Sequence, residues 1–436
     1  MFPLIQPESV GGYVGASRKT APDGTVKTGS LAAENHAVVM CNPLIESMKK
    51  AILAIAFVLL SGVLPAQNHR DWHRPDTRIP YRMVKGKMIV DVEIGGRVRP
   101  FLFDTGASRS GITDSLYAAL GVGDEERKAI TLRDSGGQSA SHSVVRIDSL
   151  LWGDWVITGH LVPVISASAP IMACYGLDGI IGSDILQKKV VHIVARDSVI
   201  LLVDRINRLP EKPQHPTRIF LSGTLPHIKI TGGNGDKKGS HWTLVDTGEQ
   251  GYICRLDGHL PYMERQGVIE QLERGYGSGS IGLLGMEPPV EQVRGIVPEL
   301  WVGGVRLEQV PVSSGQSGSS LLGTFLLKCG DMTIDYRKKR FYYTPFVEER
   351  RMEARRWQVS IMFTDNEMVI GVVWSEELKP LIQAGDRVIS VNGRPSGEFP
   401  LCTVLVGGFD LDPKEPIVLT VETLSGDLVD VTLNKE

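Results

Sequence analysis

Apolar and polar residues alternate in short runs along most of the chain, a pattern typical of β-strands that are buried on one face. In the run MIVDVEI, the apolar residues from Val90 to Ile94 alternate with two acidic residues. A glycine pair then predicts a tight turn, and the run RPFLFD predicts the returning strand. The pattern therefore predicts a β-hairpin whose second strand ends at Asp104.

A second hairpin of the same kind ends at Asp246, since HIKI alternates, a Gly-rich stretch follows and WTLVD returns. Further along, LWGDWVITGHLVPV corresponds to LWVGGVRLEQVPV, and DGIIGSDIL corresponds to SSLLGTFLL. Gly182 follows Asp104 by 78 residues, and Gly323 follows Asp246 by 77. Each unit closes with a hairpin-like stretch, VVHIVARDSVILLV or DMTIDYRKKRFYY. The matching order and spacing indicate an internal duplication.

The chain ends in a third pattern of short elements. MVIGVVW predicts a strand, SEELKPLI a short helix, and AGDRVISVNGRP a turn, a strand and a tight turn at Asn392-Gly393. PIVLTVET and LVDVTL predict paired strands. This order resembles a PDZ domain of the bacterial type, in which a Gly-Asp turn leads into a strand that ends at Asn-Gly. A small β-domain of another kind is the alternative.

The N-terminal region has the pattern of a targeting segment. Met48 and two lysines precede the apolar run AILAIAFVLL, and small residues lead to Ala66. The run is too short to span a bilayer comfortably, so we expect a signal peptide that is cleaved after Ala66 and a product that is periplasmic or secreted. A disordered leader with a buried apolar segment is the alternative.

These patterns predict a set of domain boundaries. In chain order we expect a non-native or disordered leader, a signal peptide, a mature leader, a first lobe, a Pro-rich linker, a second lobe, a charged linker and a PDZ-like domain. The corresponding ranges are residues 1–47, 48–66, 67–80, 81–207, 208–218, 219–346, 347–356 and 357–436.

Composition narrows the function classes. Of the 436 residues, 42% are hydrophobic and 22% charged, with a net charge of −3 and a pI near 6.4, so neither nucleic acid nor an anionic membrane is an expected partner. No stable membrane span is expected after the signal peptide. The 48 glycines favour turns and close backbone contacts over long helices. The five cysteines have no metal-ligand spacing and are too few for a fold built on disulfides, and we expect no metal and no cofactor.

The repeated Asp-Thr-Gly tripeptide carries the chemistry. A strand that ends on aspartate can project the carboxyl group into a cleft, the glycine permits close backbone approach, and the threonine hydroxyl can bond to the partner loop. Two carboxyl groups held close together share one proton, so the pair can act as acid and base at once. The sequence therefore points to Asp104 and Asp246 as a catalytic pair.

The first loop resembles the retroviral-type aspartic proteases, with an apolar run, Asp-Thr-Gly-Ala-Ser and a downstream Ile-Ile-Gly. The likeness covers about residues 86–346 and implies a mainly β chain with two tandem retropepsin-type (acid protease) β-barrel lobes in pseudo-twofold pairing. With the PDZ-like α+β domain added, the chain resembles exported bacterial aspartyl proteases that carry a C-terminal PDZ domain. It implies an aspartic endopeptidase of peptide or protein substrates, active as a monomer, with a C-terminal peptide as the ligand of the PDZ-like domain. The residues expected to support the catalytic loops are Thr105, Gly106, Thr247, Gly248, Gly182 and Gly323. Those expected in Gly-rich flaps are Gly136, Gly137, Gly277 and Gly279.

The second loop departs from the family pattern, because Glu249-Gln250 stands where a small or hydroxyl residue is usual. A carboxylate there either raises the proton affinity of the pair or points to solvent. This departure leaves a second hypothesis open, a non-catalytic peptide-binding protein on the protease scaffold. A third is that the first lobe dimerises by itself, although the retained Asp246 argues against it.

Other motifs carry less weight. Gly277, Gly279 and Gly282 match a dinucleotide fingerprint, but no βαβ unit surrounds them. His69 and His73 are four residues apart without a third ligand. No G-x-S-x-G is present. The recurring Trp152 and Trp301 are interpreted as packing residues.

Overall fold

A computed structural model describes residues 77–434, apart from residues 122–128, 135, 255–258, 316–318, 347–350, 353–355 and 410–414. The expected leader, signal peptide and most of the charged linker lie outside the described residues. Where the chain is described it is mainly β, and none of its helices is long and apolar enough to cross a membrane.

The first half of the described chain, residues 77–208, consists mostly of strands. They are β1 (Thr77–Val84), β2 (Lys87–Ile94), β3 (Arg97–Phe103), β4 (Gly111–Thr113), β5 (Ala129–Arg133), β6 (Ser139–Trp152), β7 (Trp155–Ile165), β8 (Gly179–Ile181), β9 (Val190–Val194) and β10 (Val199–Val203). The helices between them are α1 (Asp114–Leu120), α2 (Pro170–Tyr175), α3 (Ser183–Leu186) and the 3₁₀ turn Ile206–Arg208.

The second half, residues 217–346, is built in the same way. Its strands are β11 (Thr217–Ser222), β12 (Leu225–Asn234), β13 (Lys237–Val245), β14 (Ile253–Cys254), β15 (Glu270–Gly277), β16 (Ile281–Gly282), β17 (Gly285–Met286), β18 (Val290–Val302), β19 (Val305–Ser313), β20 (Leu321–Leu322), β21 (Gly330–Asp335) and β22 (Arg340–Pro345). Its helices are α4 (Leu260–Arg265) and the 3₁₀ helix Thr324–Lys328.

The C-terminal unit, residues 356–434, is smaller. It contains β23 (Val359–Thr364), β24 (Glu367–Val373), β25 (Arg387–Val391), β26 (Arg394–Pro395), the 3₁₀ turn Ser396–Glu398, α5 (Leu401–Gly407), β27 (Ile417–Glu422) and β28 (Leu428–Leu433). Its buried apolar side chains form a cluster of their own around Trp357, Val388 and Val421.

Each half places its Asp-Thr-Gly loop by the same strand arrangement. A hairpin, β2–β3 or β12–β13, leads into the loop, and its second strand runs parallel to β8 or β20. The short strand after the loop, β4 or β14, lies parallel to β7 or β19 and antiparallel to β8 or β20. The first turn, Gly95-Gly96, has φ values of 59° and 70°, which a glycine pair adopts without strain.

A shared sheet joins the two halves, with the strand order β1–β10–β9–β21–β22–β11. At its centre β9 pairs antiparallel with β21, so that Val191 lies opposite Ile334 and Ile193 opposite Met332. These four side chains are almost completely buried in a cluster that includes residues of both halves. The two halves therefore share one hydrophobic core, which fixes one loop relative to the other.

Two sequence expectations differ from the structure. Thr77–Pro80, expected in the polar leader, pairs with β10 and buries Ile79; Pro80 is tolerated because β1 is an edge strand of this sheet. The helix expected from Ser375 to Ile382 is a series of turns instead, since Pro380 lacks the N–H that a continuous helix needs and disfavours helical geometry in the residue before it.

The shared core predicts a stability effect. We expect Ile334→Ala to lower the free energy of unfolding by about 2–5 kcal/mol, because it empties a fully buried position between the halves. Urea denaturation measures this loss, with Val98→Ala, at a side chain that is 65% exposed, as the control. Equal stability of the two variants would contradict the shared core.

Candidate active site

The structure brings Asp104 and Asp246 together at the contact between the two halves. Each follows directly on a buried strand, and the backbone N–H of each donates to the adjacent short strand: Asp104 to the Ile181 carbonyl at 2.9 Å and Asp246 to the Leu322 carbonyl at 3.0 Å. The carboxyl group of each packs against the glycine of the opposite loop, Asp104 against Gly248 and Asp246 against Gly106. Two acidic groups that lie 142 residues apart in the sequence thus form one pair.

Thr105 and Thr247 lock the two loops together. The Thr105 hydroxyl donates to the Val245 carbonyl at 2.7 Å, and the Thr247 hydroxyl donates to the Phe103 carbonyl at 2.9 Å. The Thr247 hydroxyl also accepts the backbone N–H of Thr105 at 2.9 Å, and the Thr105 hydroxyl accepts the backbone N–H of Thr247 at 3.1 Å. Both side chains are fully buried, so these reciprocal bonds hold the loops in one relative position without competition from water.

The glycines of the loops give the carboxyl groups room. A Cβ at Gly106 would overlap the Asp246 carboxyl, and a Cβ at Gly248 would overlap the Asp104 carboxyl. Further back, a Cβ at Gly182 would lie 2.6 Å from the Arg109 carbonyl carbon, and one at Gly323 would lie 2.6 Å from the carbonyl oxygen of the second loop's Gly251. These sites therefore accept only glycine without displacing the loops.

The environment of Asp104 favours its charged form more than that of its partner. Burial raises the pKa of Asp104, while the hydrogen bond with Asp246 and the charge of Lys87 lower it. The backbone N–H groups of Gly106 and Ala107 also lower this pKa, since they donate to the carboxylate at 2.8 and 2.9 Å.

Asp246 holds a proton more strongly. Burial and the negative charges of Asp104 and Glu249 raise the pKa of Asp246 well above its usual value, and the Lys87 charge opposes this rise only in part. Because burial raises the pKa of both carboxyl groups, the pair retains a proton.

Glu249 lies beside the pair rather than away from it. Its side chain lines the same cavity as the two aspartates, and its charge acts on Asp246. Its backbone carbonyl accepts the N–H of Thr324 at 2.9 Å, which anchors the loop. The sequence left two positions open for Glu249, one near the pair and one pointing to solvent. In the structure it lies near the pair.

Lys87 was missed by the sequence analysis. It begins β2, its ammonium group donates to the carbonyl of Gly248, and it lines the cavity. The corresponding first residue of β12 is Leu225, which also lines the cavity. If the alignment of the runs MIVDVEI and HIKI had been extended upstream to Lys87, it would have paired this charged residue with the apolar Leu225.

A cavity of about 250 Å³ contains both carboxyl groups. The hairpin β5–β6 contributes Leu132, Arg133 and Asp134 to its lining. Gly136 and Gly137 lie in the turn of that hairpin, where Gly137 has a φ of 81°. The other lining residues with ionisable side chains are Lys87, Arg109, His142 and Glu249.

Gly277 and Gly279 are the glycines expected in a second flap. Gly277 pairs with Val372 of the C-terminal unit, and neither glycine lines the cavity. Residues 280–284, which follow directly, line it instead. Within the described residues, no group of three or more His, Cys, Asp or Glu side chains is arranged to hold a metal ion.

Comparison with known proteins identifies one part of this site. Residues 90–185 match the family model described as aspartyl protease, and this segment contains the first Asp-Thr-Gly loop and Gly182. The match supports an aspartic protease function at the level of the class. No curated protein matches the chain significantly.

The close packing at the loop glycines predicts that a substitution there lowers the stability of the protein. We expect Gly248→Ala to destabilise the protein by about 1–3 kcal/mol, because the added methyl group must displace the buried Asp104 carboxyl. Chemical denaturation measures the change. Gly397→Ala is the control, since a Cβ there meets nothing within 4 Å, and an equally small effect at both sites would contradict the described packing.

Proposed function

We propose that the protein is an aspartic endopeptidase in which Asp104 and Asp246 activate one water molecule. The observation that carries this proposal is the pair of carboxyl groups, one from each half, that pack against each other's loops and line a shared cavity. The match of residues 90–185 to the aspartyl protease model agrees with it.

In this proposal Asp104, which accepts two backbone N–H groups, is the base, and Asp246, which lies beside Glu249, is the proton donor. Ionised Asp104 takes a proton from the bound water as its oxygen attacks the peptide carbonyl carbon, and protonated Asp246 donates a hydrogen bond to the carbonyl oxygen as it becomes negative. Asp104 then passes the proton to the leaving nitrogen, the C–N bond breaks, and an acid and an amine are formed. Asp246 keeps its own proton, so the pair is again in its starting state.

The two halves act as tandem retropepsin-type lobes in this proposal. Their matching strand arrangement and the shared sheet support a pseudo-twofold site within one polypeptide. The active species is then a monomer, and an active dimer of first lobes would be the contrary result in a sizing experiment.

Residues 357–436 serve as a PDZ-like module that recognises a peptide segment, for which a C-terminal peptide is the expected ligand. The strands β23–β28 and the helix α5 support this assignment, as does the Gly385-Asp386 turn that leads into β25 and the Asn392-Gly393 turn that follows it.

Export of the protein is part of the proposal, with residues 48–66 as a cleaved signal peptide. A disulfide between Cys174 and Cys402 supports it, because such bonds persist in oxidising compartments. The N-terminal sequence of the mature protein tests this point directly.

A non-catalytic peptide-binding protein is the alternative function. Glu249 favours it, since an additional carboxylate beside Asp246 places the pair in an unusually acidic environment. In that case a peptide-like inhibitor of aspartic proteases binds, but no peptide is hydrolysed.

The first test of the proposed function removes either acid. We expect Asp104→Asn and Asp246→Asn each to abolish peptide hydrolysis, because the water then lacks its base or the carbonyl oxygen its proton donor. Mass spectrometry of a peptide library reads out cleavage. Asp91→Asn is the control, because this exposed residue of β2 lies outside the cavity, and full activity of either dyad variant would refute the assignment.

The second test uses the charges beside the pair. Glu249→Gln removes a charge that raises the pKa of Asp246, so the alkaline limb of the pH profile of kcat/KM should move to lower pH. Lys87→Gln removes a charge that lowers both dyad pKa values, so its profile should move to higher pH.

Shifts of opposite sign are the expected result of that pair of variants. Shifts in the same direction, or profiles identical to that of the unchanged protein, would show that these side chains do not control the protonation of the dyad.

A further inference from the structure

Residues 280–286, which we call the strap, belong to the second half and lie at the cavity. The strap contains β16 and β17, which among the described strands pair with each other in a separate two-stranded sheet. Residues 280–284 line the cavity that holds the two acidic groups. The strap is thus a short hairpin at the site that is not built into the main sheets.

The strap is bonded to the hairpin β5–β6 of the first half. The backbone N–H of Leu284 donates to Asp134 Oδ2 at 3.1 Å, and Gln138 Nε2 donates to the Met286 carbonyl at 2.9 Å. Because one side of this contact belongs to each half, the bonds connect the halves on a second side of the cavity, away from the Asp-Thr-Gly loops.

Residues of the C-terminal unit also contact the strap. Leu283 packs against an apolar cluster that includes Leu405 of α5 and Met172 of α2. The Thr364 hydroxyl at the end of β23 contacts the Met286 sulfur at 3.7 Å. Movement of the strap away from the cavity would therefore disturb the packing of α5 and β23.

The C-terminal unit is itself fixed to both halves. On the first half, the disulfide Cys174–Cys402 joins α2 to α5, and the Tyr175 hydroxyl donates to the Leu405 carbonyl at 3.2 Å. On the second half, the Ser278 N–H, two residues before the strap, donates to the Gly371 carbonyl at 3.0 Å.

The second half has a further contact with the C-terminal unit through Arg294 of β18. This buried guanidinium lies over the ring of Trp374, 4.6 Å from its centroid, and donates to the Trp357 carbonyl at 2.7 Å. The C-terminal unit therefore remains attached to the second half independently of the disulfide.

The cavity that the strap lines is small. Its volume of about 250 Å³ is below the roughly 300–1,000 Å³ of pockets that hold a single drug-sized ligand. An extended peptide that spans several residues on each side of the cleaved bond requires more room than this. The strap, which lines the cavity and is bonded to Asp134 and Gln138, is an element whose displacement would enlarge the cavity.

We propose that the C-terminal unit, clamped by the Cys174–Cys402 disulfide, holds the strap across the cavity and keeps the protein latent. Breaking the disulfide removes the covalent link between α2 and α5, loosens the apolar cluster against which Leu283 packs and lets the strap open. A dithiol reductant supplies the two electrons and two protons that convert the disulfide to two thiols, and it becomes a cyclic disulfide itself. This regulation rests on the proposed function.

The test compares the oxidised full-length chain, the same chain after dithiothreitol, and the double variant Cys174→Ser/Cys402→Ser. If about one oxidised molecule in ten has an open strap, kcat/KM for a peptide substrate rises roughly tenfold on release. The double variant should show this rise without reductant, and dithiothreitol should change it no further. Gln138→Ala, which removes one strap bond and leaves the disulfide intact, should give a smaller rise in the oxidised protein.

Hydrogen exchange of a peptide covering the strap gives a readout that does not depend on hydrolysis. The Leu284 amide should exchange faster in the reduced protein and in the double variant. Faster exchange without hydrolysis in any form would support the clamp and refute the proposed protease function. Unchanged exchange with unchanged kcat/KM, or a fall in kcat/KM on release, would overturn the clamp.

Discussion

Two buried threonines make the site of this protein possible. Placing two carboxyl groups in contact away from water is unfavourable, because burial and mutual repulsion both oppose their ionisation. The reciprocal bonds between Thr105 and Thr247 fix the backbones that carry the acids, and the pair responds by keeping a proton. The duplicated strands and the sheet between the halves provide rigid supports on which this costly contact persists.

Near-symmetry of the backbone contrasts with asymmetry of the charges. The first loop continues with Ala107 and faces Leu225, whereas the second continues with Glu249 and faces Lys87. A symmetric pair would share its proton equally, but these two side chains give the acids different surroundings. Water activation needs one base and one acid, so in the proposed mechanism the asymmetric neighbours, rather than the repeated motif, decide which aspartate has which role.

The sequence predicted the parts of the structure that short segments encode. Alternation and glycine turns identified the hairpins before Asp104 and Asp246, and the repeat placed equivalent residues in equivalent positions. It could not predict contacts set by tertiary packing. Lys87 reaches the loop of the opposite half, and Cys174 bonds to a cysteine 228 residues away, so neither partner is visible in local patterns. Ser375–Ile382 is not a helix for a local reason. Its apolar spacing suggested a helix, but Pro380 disfavours one.

The glycines expected in the second flap show what the C-terminal unit changes. Gly277 and Gly279 were expected in a hairpin that moves over the cavity. Instead Gly277 joins the edge of β24, and a Cβ at this position would overlap the Gly371 carbonyl. The glycine is thus needed for close contact with another unit rather than for flexibility. With this edge fixed, the proposed clamp acts on the few residues of the strap that follow instead of on a whole flap.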